Sequence, residues 1–321
     1  MMSAENATLD QGAGVKAGLQ ALYANMSQVM FGKKDALMLS LVTLLGRGHL
    51  LIEDVPGVGK TILARSLAQS IGGEFRRLQC TPDLLPSDVT GVSIYNQRTQ
   101  VFEFVPGPVF ANILLADEIN RAPPRAQSAL LECMAEQQVT VDGKTHPVPG
   151  VFMVIATQNP IEFHGTYALP EAQLDRFFMR IRLGYPDAQS ELKMVASQEH
   201  GHPLDKLRPV LGIDQLLSLQ RAVENVRISD DVVQYALALV QATRDRPDVM
   251  LGASPRATLA LRRAAQAFAF LEGEEFATPK HVKQMARYVL PHRVIPRTSS
   301  GHASAAETIV REVLENVPVP A

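Results

Sequence analysis

The chain has 321 residues, 46% hydrophobic and 20% charged, with 31 Lys and Arg against 33 Asp and Glu for a formal net charge of -2. This balance excludes intrinsic disorder, collagen-like repeats and a disulfide scaffold, and leaves no bulk positive field to draw nucleic acid or anionic lipid. At about 150 residues per domain the length suits two domains, and Cys80 and Cys133 read as buried, reduced thiols.

The polar start Met1-Met2-Ser3-Ala4-Glu5-Asn6 lacks the basic and apolar regions of a signal peptide, which points to the cytoplasm. Periodicity predicts helices over Val15–Met26 and Lys34–Leu45. The apolar run Ala36–Leu45 is about half of the roughly 20 residues a membrane helix needs, so no insertion into a bilayer is expected. His49-Leu50-Leu51-Ile52 predicts a short buried strand ending at Glu53 and Asp54, followed by a glycine turn and a helix from Thr61 to Ile71. Phe75–Leu78, Asn112–Ala116, Val151–Ala156 and Phe178–Leu183 are further strand candidates, and the middle two are continuous apolar runs, as in a parallel sheet covered on both faces. A helix begins at Pro123-Pro124, with Ala126, Ala129, Leu130, Cys133 and Met134 on one stripe.

Two segments break this rhythm. Val92–Phe104 alternates around Asn96-Gln97, and Val139–Thr145 carries an Asp142-Gly143 turn; both fit inserted hairpins or ordinary edge strands. From Asp187 helical periodicity takes over, with helix starts at Ser254-Pro255 and Thr278-Pro279 and a stop at Pro291. The expected architecture is an α/β domain over 1–186, built on a doubly wound parallel sheet, and an all-helical domain over 187–321.

The segment Glu53-Asp54-Val55-Pro56-Gly57-Val58-Gly59-Lys60-Thr61 lies between a strand and a helix, where a phosphate loop belongs. Its amides and the helix N-terminus would face phosphates, Lys60 would neutralise the β and γ oxygens, and Thr61 would reach Mg2+. Glycine is usual six residues before the lysine; here that position is Asp54, and a glycine turn in another α/β fold is the rival reading. The strand Ile113–Ala116 ends in Asp117-Glu118, one carboxylate for the metal and one for the water that attacks the γ-phosphate. Both strings in this order favour nucleotide hydrolysis. Thr157-Gln158-Asn159-Pro160 puts an amide where it would bond that water or the γ-phosphate, or else forms an Asn-Pro turn. Pro170–Arg176 predicts a helix with Glu171 and Asp175 on one face, and Arg176 reads as a salt-bridged helix-end cation. His200-Gly201-His202 has no acidic or thiol partner at metal spacing, and Arg262-Arg263 reads as solvent-facing.

Leu51–Thr61, Val105-Pro106-Gly107-Pro108, Ala116–Pro124, Thr157–Pro160, Leu169–Phe177 and Ser254-Pro255-Arg256 together resemble the MoxR family of AAA+ ATPases over nearly the whole chain. The strings Glu118–Pro124 and Glu171–Phe177 are the most specific, and the family tolerates the missing first glycine. The resemblance implies a P-loop core of five strands with a helical lid, and a homo-oligomeric, hexameric ring binding ATP and Mg2+ between protomers. It places Pro56, Gly57, Val58, Gly59, Lys60, Thr61 and Ile62 around the nucleotide. Val29, Met30 and Phe31 fall at the adenine, or in the core, and Thr61 and Asp117 at the metal. Glu118 becomes the catalytic carboxylate and Asn159 the γ-phosphate sensor. Arg176 becomes the finger that reaches a neighbour's ATP, with Arg121 and Arg180 as rivals. Arg256 becomes a lid arginine reporting on a triphosphate docked between the domains.

The hairpins would be insertions of the clade that also holds magnesium chelatase motor subunits and replicative helicases. The implied activity is ATP-driven, chaperone-like remodelling or metal insertion, with partners that carry a von Willebrand factor A domain. A DNA-translocating motor is the second reading, weakened because the hairpins carry only Arg98 and Lys144 against Glu103 and Asp142. A nucleotide-gated scaffold with little turnover is the third, opposed by the intact Glu118.

Overall fold

The computed structural model describes residues 17–160, 166–199, 201, 203–297 and 302–320. His200, His202 and the start of the first predicted helix at Val15 lie outside the described residues. Helices α1 (17–27) and α2 (Lys34–Leu45) lead into β1 (Leu50–Glu53), α3 (Lys60–Ser70) and β2 (Phe75–Gln79). A short α4 (Pro86–Thr90) precedes the hairpin β3 (Gly91–Asn96) and β4 (Val101–Pro106), then β5 (Ile113–Asp117) and α5 (Pro124–Glu136). A second hairpin, β6 (Gln138–Val141) and β7 (Lys144–Pro147), is followed by β8 (Met153–Gln158), α6 (Glu171–Leu174) and β9 (Met179–Ile181).

One parallel five-stranded sheet has the order β2-β5-β8-β1-β9. Its three inner strands, β5, β8 and β1, are apolar over most of their length because successive side chains enter different cores. Leu50, Ile52, Ile113, Leu115, Met153 and Ile155 pack with α2, α3 and the C-terminal helices, whereas Leu51, Leu114, Ala116, Val154 and Ala156 pack with α5. Cys80 and Cys133 belong to the second core as free thiols, and burial pushes both up to about 12, the inert state expected of them.

Among the described residues each hairpin pairs only with itself, so both are insertions rather than edge strands of the sheet. The second turns through Asp142 and Gly143, both at positive φ, as the Asp-Gly signal predicts. Phe104 stacks on His146 at 4.0 Å and joins the two.

From α7 (Ala188–Ser197) onward the chain is helical: α8 (Ile213–Glu224), α9 (Asp230–Ala242), α10 (Pro255–Glu272), α11 (Pro279–Val289) and α12 (His302–Asn316). Ser254 caps α10 as predicted, its hydroxyl accepting the Arg256 amide. Two short ladders absent from the sequence reading lie between these helices, Arg227–Ile228 on Phe276–Ala277 and Val249–Leu251 on Ile295–Pro296. Among the described residues no helix is long and apolar enough to cross a membrane.

Two elements are shorter than predicted, for physical reasons. The last strand stops at Ile181 because the Leu183 amide is taken by the Asp54 carboxylate instead of a ladder. Helix α6 is a single turn because the Asp175 carbonyl and carboxylate are held by Arg293.

Candidate functional site

The phosphate loop leaves β1 at the carboxyl edge of the sheet, the edge where parallel α/β folds bind ligands. Gly57 and Gly59 sit at φ 84° and 101°, a region unfavourable to side chains, and Gly59 starts α3 so that its first amides open onto the loop. Lys60 Nζ donates to the Asp54 carbonyl at 2.6 Å. Burial lowers the Lys60 pKa, and Asp117, Asp54 and Glu118 oppose that shift, so the ammonium lies in the field of both carboxylates at the end of β5.

Those carboxylates are oriented by a residue the sequence reading did not single out. The Thr157 hydroxyl, at the end of β8, donates to Asp117 Oδ1 at 2.6 Å and accepts the Glu118 amide at 2.9 Å. Glu118 holds φ 56° and ψ 52°, left-handed values uncommon outside glycine, as strained backbone at functional sites often is. Its Oε2 meets Gln79 Nε2 at 3.2 Å and Arg121 at 3.0 Å, while Asp117 pairs with Arg77 at 2.6 Å. Arg77 and Gln79 stand at i and i+2 on β2, a spacing that could have marked them as one face. Asn159 is buried just beyond β8, whose Gln158 pairs with Glu53 in register.

Beside the loop is a cavity of about 270 Å3, lined by Val29, Met30, Phe31, Pro56, Gly57, Val58, Gly59 and Ile62. Val29 and Met30 also belong to the core. Tyr185, Pro186 and, from α7, Ser190, Glu191 and Met194 form the facing wall. No motif marked this wall, which exists only once the chain beyond β9 folds back over the loop.

Arg176 and Arg256 lie elsewhere. A cavity of about 320 Å3 is lined by Arg47, His49, Arg176, Arg256, Arg263 and Arg293. Residues 46–49 precede β1 and the phosphate loop follows it, so a four-residue strand, roughly 3.3 Å per residue, separates the two sites. This corrects the expectation for Arg256: it does not face a triphosphate between this chain's own domains. Ser254, the cap of α10, donates to Asp175 Oδ2 at 2.8 Å and ties that helix to the Arg176 side of the sheet. Asp175 Oδ1 accepts Arg293 Nε at 2.8 Å, and the buried Arg293 also donates to the carbonyls of Phe177, Phe178 and Val289. Burial lowers the Arg293 pKa to about 10.

Among the described residues Arg176 has no salt bridge; it donates to the Leu131 carbonyl. Of its rivals, Arg180 is held between Glu53 at 3.2 Å and Glu307 at 3.1 Å, and Arg121 is taken by Glu118. Arg262 and Arg263 are exposed, as expected. Among the described residues the Arg256 and Arg263 guanidinium groups meet no carboxylate.

Comparison with known proteins agrees with this geometry. The model of the ATPase family associated with various cellular activities (AAA) matches residues 49–179, and that of the AAA lid domain matches 241–313. The chain is 52% identical to the uncharacterized protein YeaC of Bacillus subtilis, over 92% of this chain and 93% of that protein. It is 39% identical to the chaperone MoxR1 of Mycobacterium tuberculosis, over 94% and 82% respectively. The crystal structure of a candidate ATPase from Cytophaga hutchinsonii superposes over 100% of both chains, with a TM-score of 0.91 and 36% identity.

Proposed function

The chain belongs to the MoxR-type AAA+ ATPases, and from that premise we propose that it hydrolyses ATP at a site completed by a neighbouring copy of itself, using the cycle to remodel or mature protein partners. The observation that supports this most is the split between two edges of one sheet. Lys60, Asp117 and Glu118 converge at the carboxyl edge, while Arg176 and Arg256 stand at the other. Head-to-tail packing of copies, closing into a hexameric ring, would bring one chain's arginines to the next chain's triphosphate.

In this reading Lys60 exchanges the Asp54 carbonyl for the β and γ oxygens, beside the first amides of α3. Glu118 accepts a proton from water as the water oxygen bonds the γ phosphorus and the bond to the β-bridging oxygen breaks, leaving ADP and phosphate. Asn159 senses the γ-phosphate, and Val29, Phe31, Pro56 and Ile62 receive the nucleoside end. Thr61 and Asp117 offer the hydroxyl and carboxylate oxygens that suit Mg2+, which when bound would neutralise phosphate charge. Arg176 stabilises charge developing on a neighbour's nucleotide, with Arg256 beside it.

The nucleotide-binding part spans 1–186 and the lid 187–321, and the protein works in the cytoplasm. Likeness to a protein named a chaperone supports protein clients, and family resemblance points to partners with a von Willebrand factor A domain. The hairpins expose Ile94, Tyr95, Val101 and Phe102, a surface suited to polypeptide rather than to a nucleic-acid backbone.

Nucleotide affinity and phosphate release test the assignment. Lys60→Ala should lose ATP binding, whereas Glu118→Gln should bind as the parent does and turn over about 10² to 10⁴ times more slowly. Parent-rate hydrolysis by Glu118→Gln would remove Glu118 from the chemistry.

A further inference from the structure

Asp54 stands where phosphate loops usually carry glycine, and the structure gives its carboxylate a task. Asp54 is buried, and its Oδ2 accepts the amides of Leu183 at 2.7 Å and Gly184 at 2.6 Å. Its Oδ1 accepts the Val55 amide at 2.8 Å. From the other side the buried Lys33 donates its ammonium to the carbonyls of the same two residues, at 2.9 and 2.6 Å. All four backbone polar groups of Leu183 and Gly184 are thus held by one carboxylate and one ammonium, and such charge-assisted bonds are roughly twice as strong as neutral ones.

These two residues form the strap between β9 and α7. Tyr185 and Pro186 follow directly, and with Ser190, Glu191 and Met194 they make the far wall of the nucleotide cavity. Asp54 meanwhile holds Lys60 through its own carbonyl. A glycine at 54 would keep that carbonyl, but it would leave the buried Leu183 amide and the part-buried Gly184 amide without their acceptor, and Lys33 with Asp187 as its remaining counter-charge.

We infer that Asp54, together with Lys33, is a positioning residue for nucleotide binding: it fixes the strap so that Tyr185, Pro186 and α7 wall the nucleoside end of the cavity, leaving the phosphate end to the loop and Lys60. The inference rests on the reading of this cavity as an ATP site. It divides recognition in two, because the nucleoside half depends on the Asp54 carboxylate and the triphosphate half on the Asp54 carbonyl that holds Lys60.

Binding of ATP and of inorganic tripolyphosphate to the full chain separates the halves, with amide hydrogen exchange at Leu183 and Gly184 read alongside. Asp54→Gly, which restores the usual loop residue, should weaken ATP about tenfold or more, as expected for a lost bond to a charged group. Tripolyphosphate affinity should not fall, because the same change removes a negative charge from the field of Lys60, and the two amides should lose protection. Asp54→Asn keeps one amide-accepting oxygen and should fall between the two. Equal losses for both ligands, or no loss for either, would overturn the inference. Should Asp54→Gly fail to fold, an unchanged ratio of the two affinities in Asp54→Asn would overturn it equally. A parent that binds neither ligand would instead refute the ATP site itself.

Discussion

The two edges of the sheet differ in charge, in sequence locality and in completeness. At the carboxyl edge the Lys60 ammonium faces Asp117 and Glu118, all within strings read directly from the chain, and each carboxylate also pairs with an arginine, Arg77 or Arg121. At the opposite edge, residues from five distant parts of the chain surround one cavity with arginines. Arg47 pairs there with Glu224 and Arg293 with Asp175, while Arg176, Arg256 and Arg263 have no acid among the described residues. Parallel strands send all their carboxyl ends one way, so these two halves lie at opposite edges of one molecule. In the proposed ring the pairing comes from a second copy.

If the edges are independent half-sites, damage to one should spare the other. The largest effect on stability is expected at Arg293. Arg293→Met leaves Asp175 without its buried partner, which should destabilise the fold by about 3 to 5 kcal/mol in urea unfolding. Nucleotide affinity of the folded variant should nevertheless stay at the parent value. Loss of binding together with stability would show that the edges are one unit.

This contrast also explains what was legible in the sequence. The phosphate loop, Asp117-Glu118 and the sheet were readable because each is a local string between a strand and a helix, and most strand ends fell within two residues. Arg256 was misplaced because its position depends on Ser254 bonding Asp175, 79 residues away. The single-turn α6 depends on Arg293, 118 residues from Asp175, and the strap clamp on Asp54 and Leu183, 129 apart. No spacing rule reaches such pairs. Thr157 was quoted only as part of a string because a lone hydroxyl after an apolar run has no signature of its own.

Acid should loosen the arginine edge by a smaller amount. His49 is buried there with Nδ1 accepting the Val154 amide, and burial lowers its pKa from 6.5 to about 4. Between those values the unfolded chain binds more protons than the folded one, so stability is complete above about pH 6.5 and declines as the pH falls toward 4. The decline from this residue is up to about 3 kcal/mol, at roughly 1.4 kcal/mol per pK unit. Melting curves of His49→Asn, which keeps an acceptor for Val154, should start lower at neutral pH but fall less steeply on acidification. Parallel curves for parent and variant would contradict this.

The smallest effect is expected from Arg256→Ala. The side chain is exposed and meets no carboxylate among the described residues, so unliganded stability should change by no more than about 0.5 kcal/mol. Turnover of the assembled protein should drop, while ATP affinity of the dilute, unassembled chain stays unchanged. Weaker binding by the isolated chain would return Arg256 to its own nucleotide.

The measurement that bears most directly on the split site is ATP turnover in mixtures of Glu118→Gln and Arg176→Ala. Each variant alone should be inactive. Mixed rings would contain interfaces that combine an intact Glu118 on one chain with an intact Arg176 on its neighbour. Arginine fingers contribute about 10³ or more in rate, so even partial rescue should stand clear of both backgrounds. Restored hydrolysis on mixing is the predicted result; rings shown to be mixed that remain as inactive as either variant alone would contradict a site shared between the two edges.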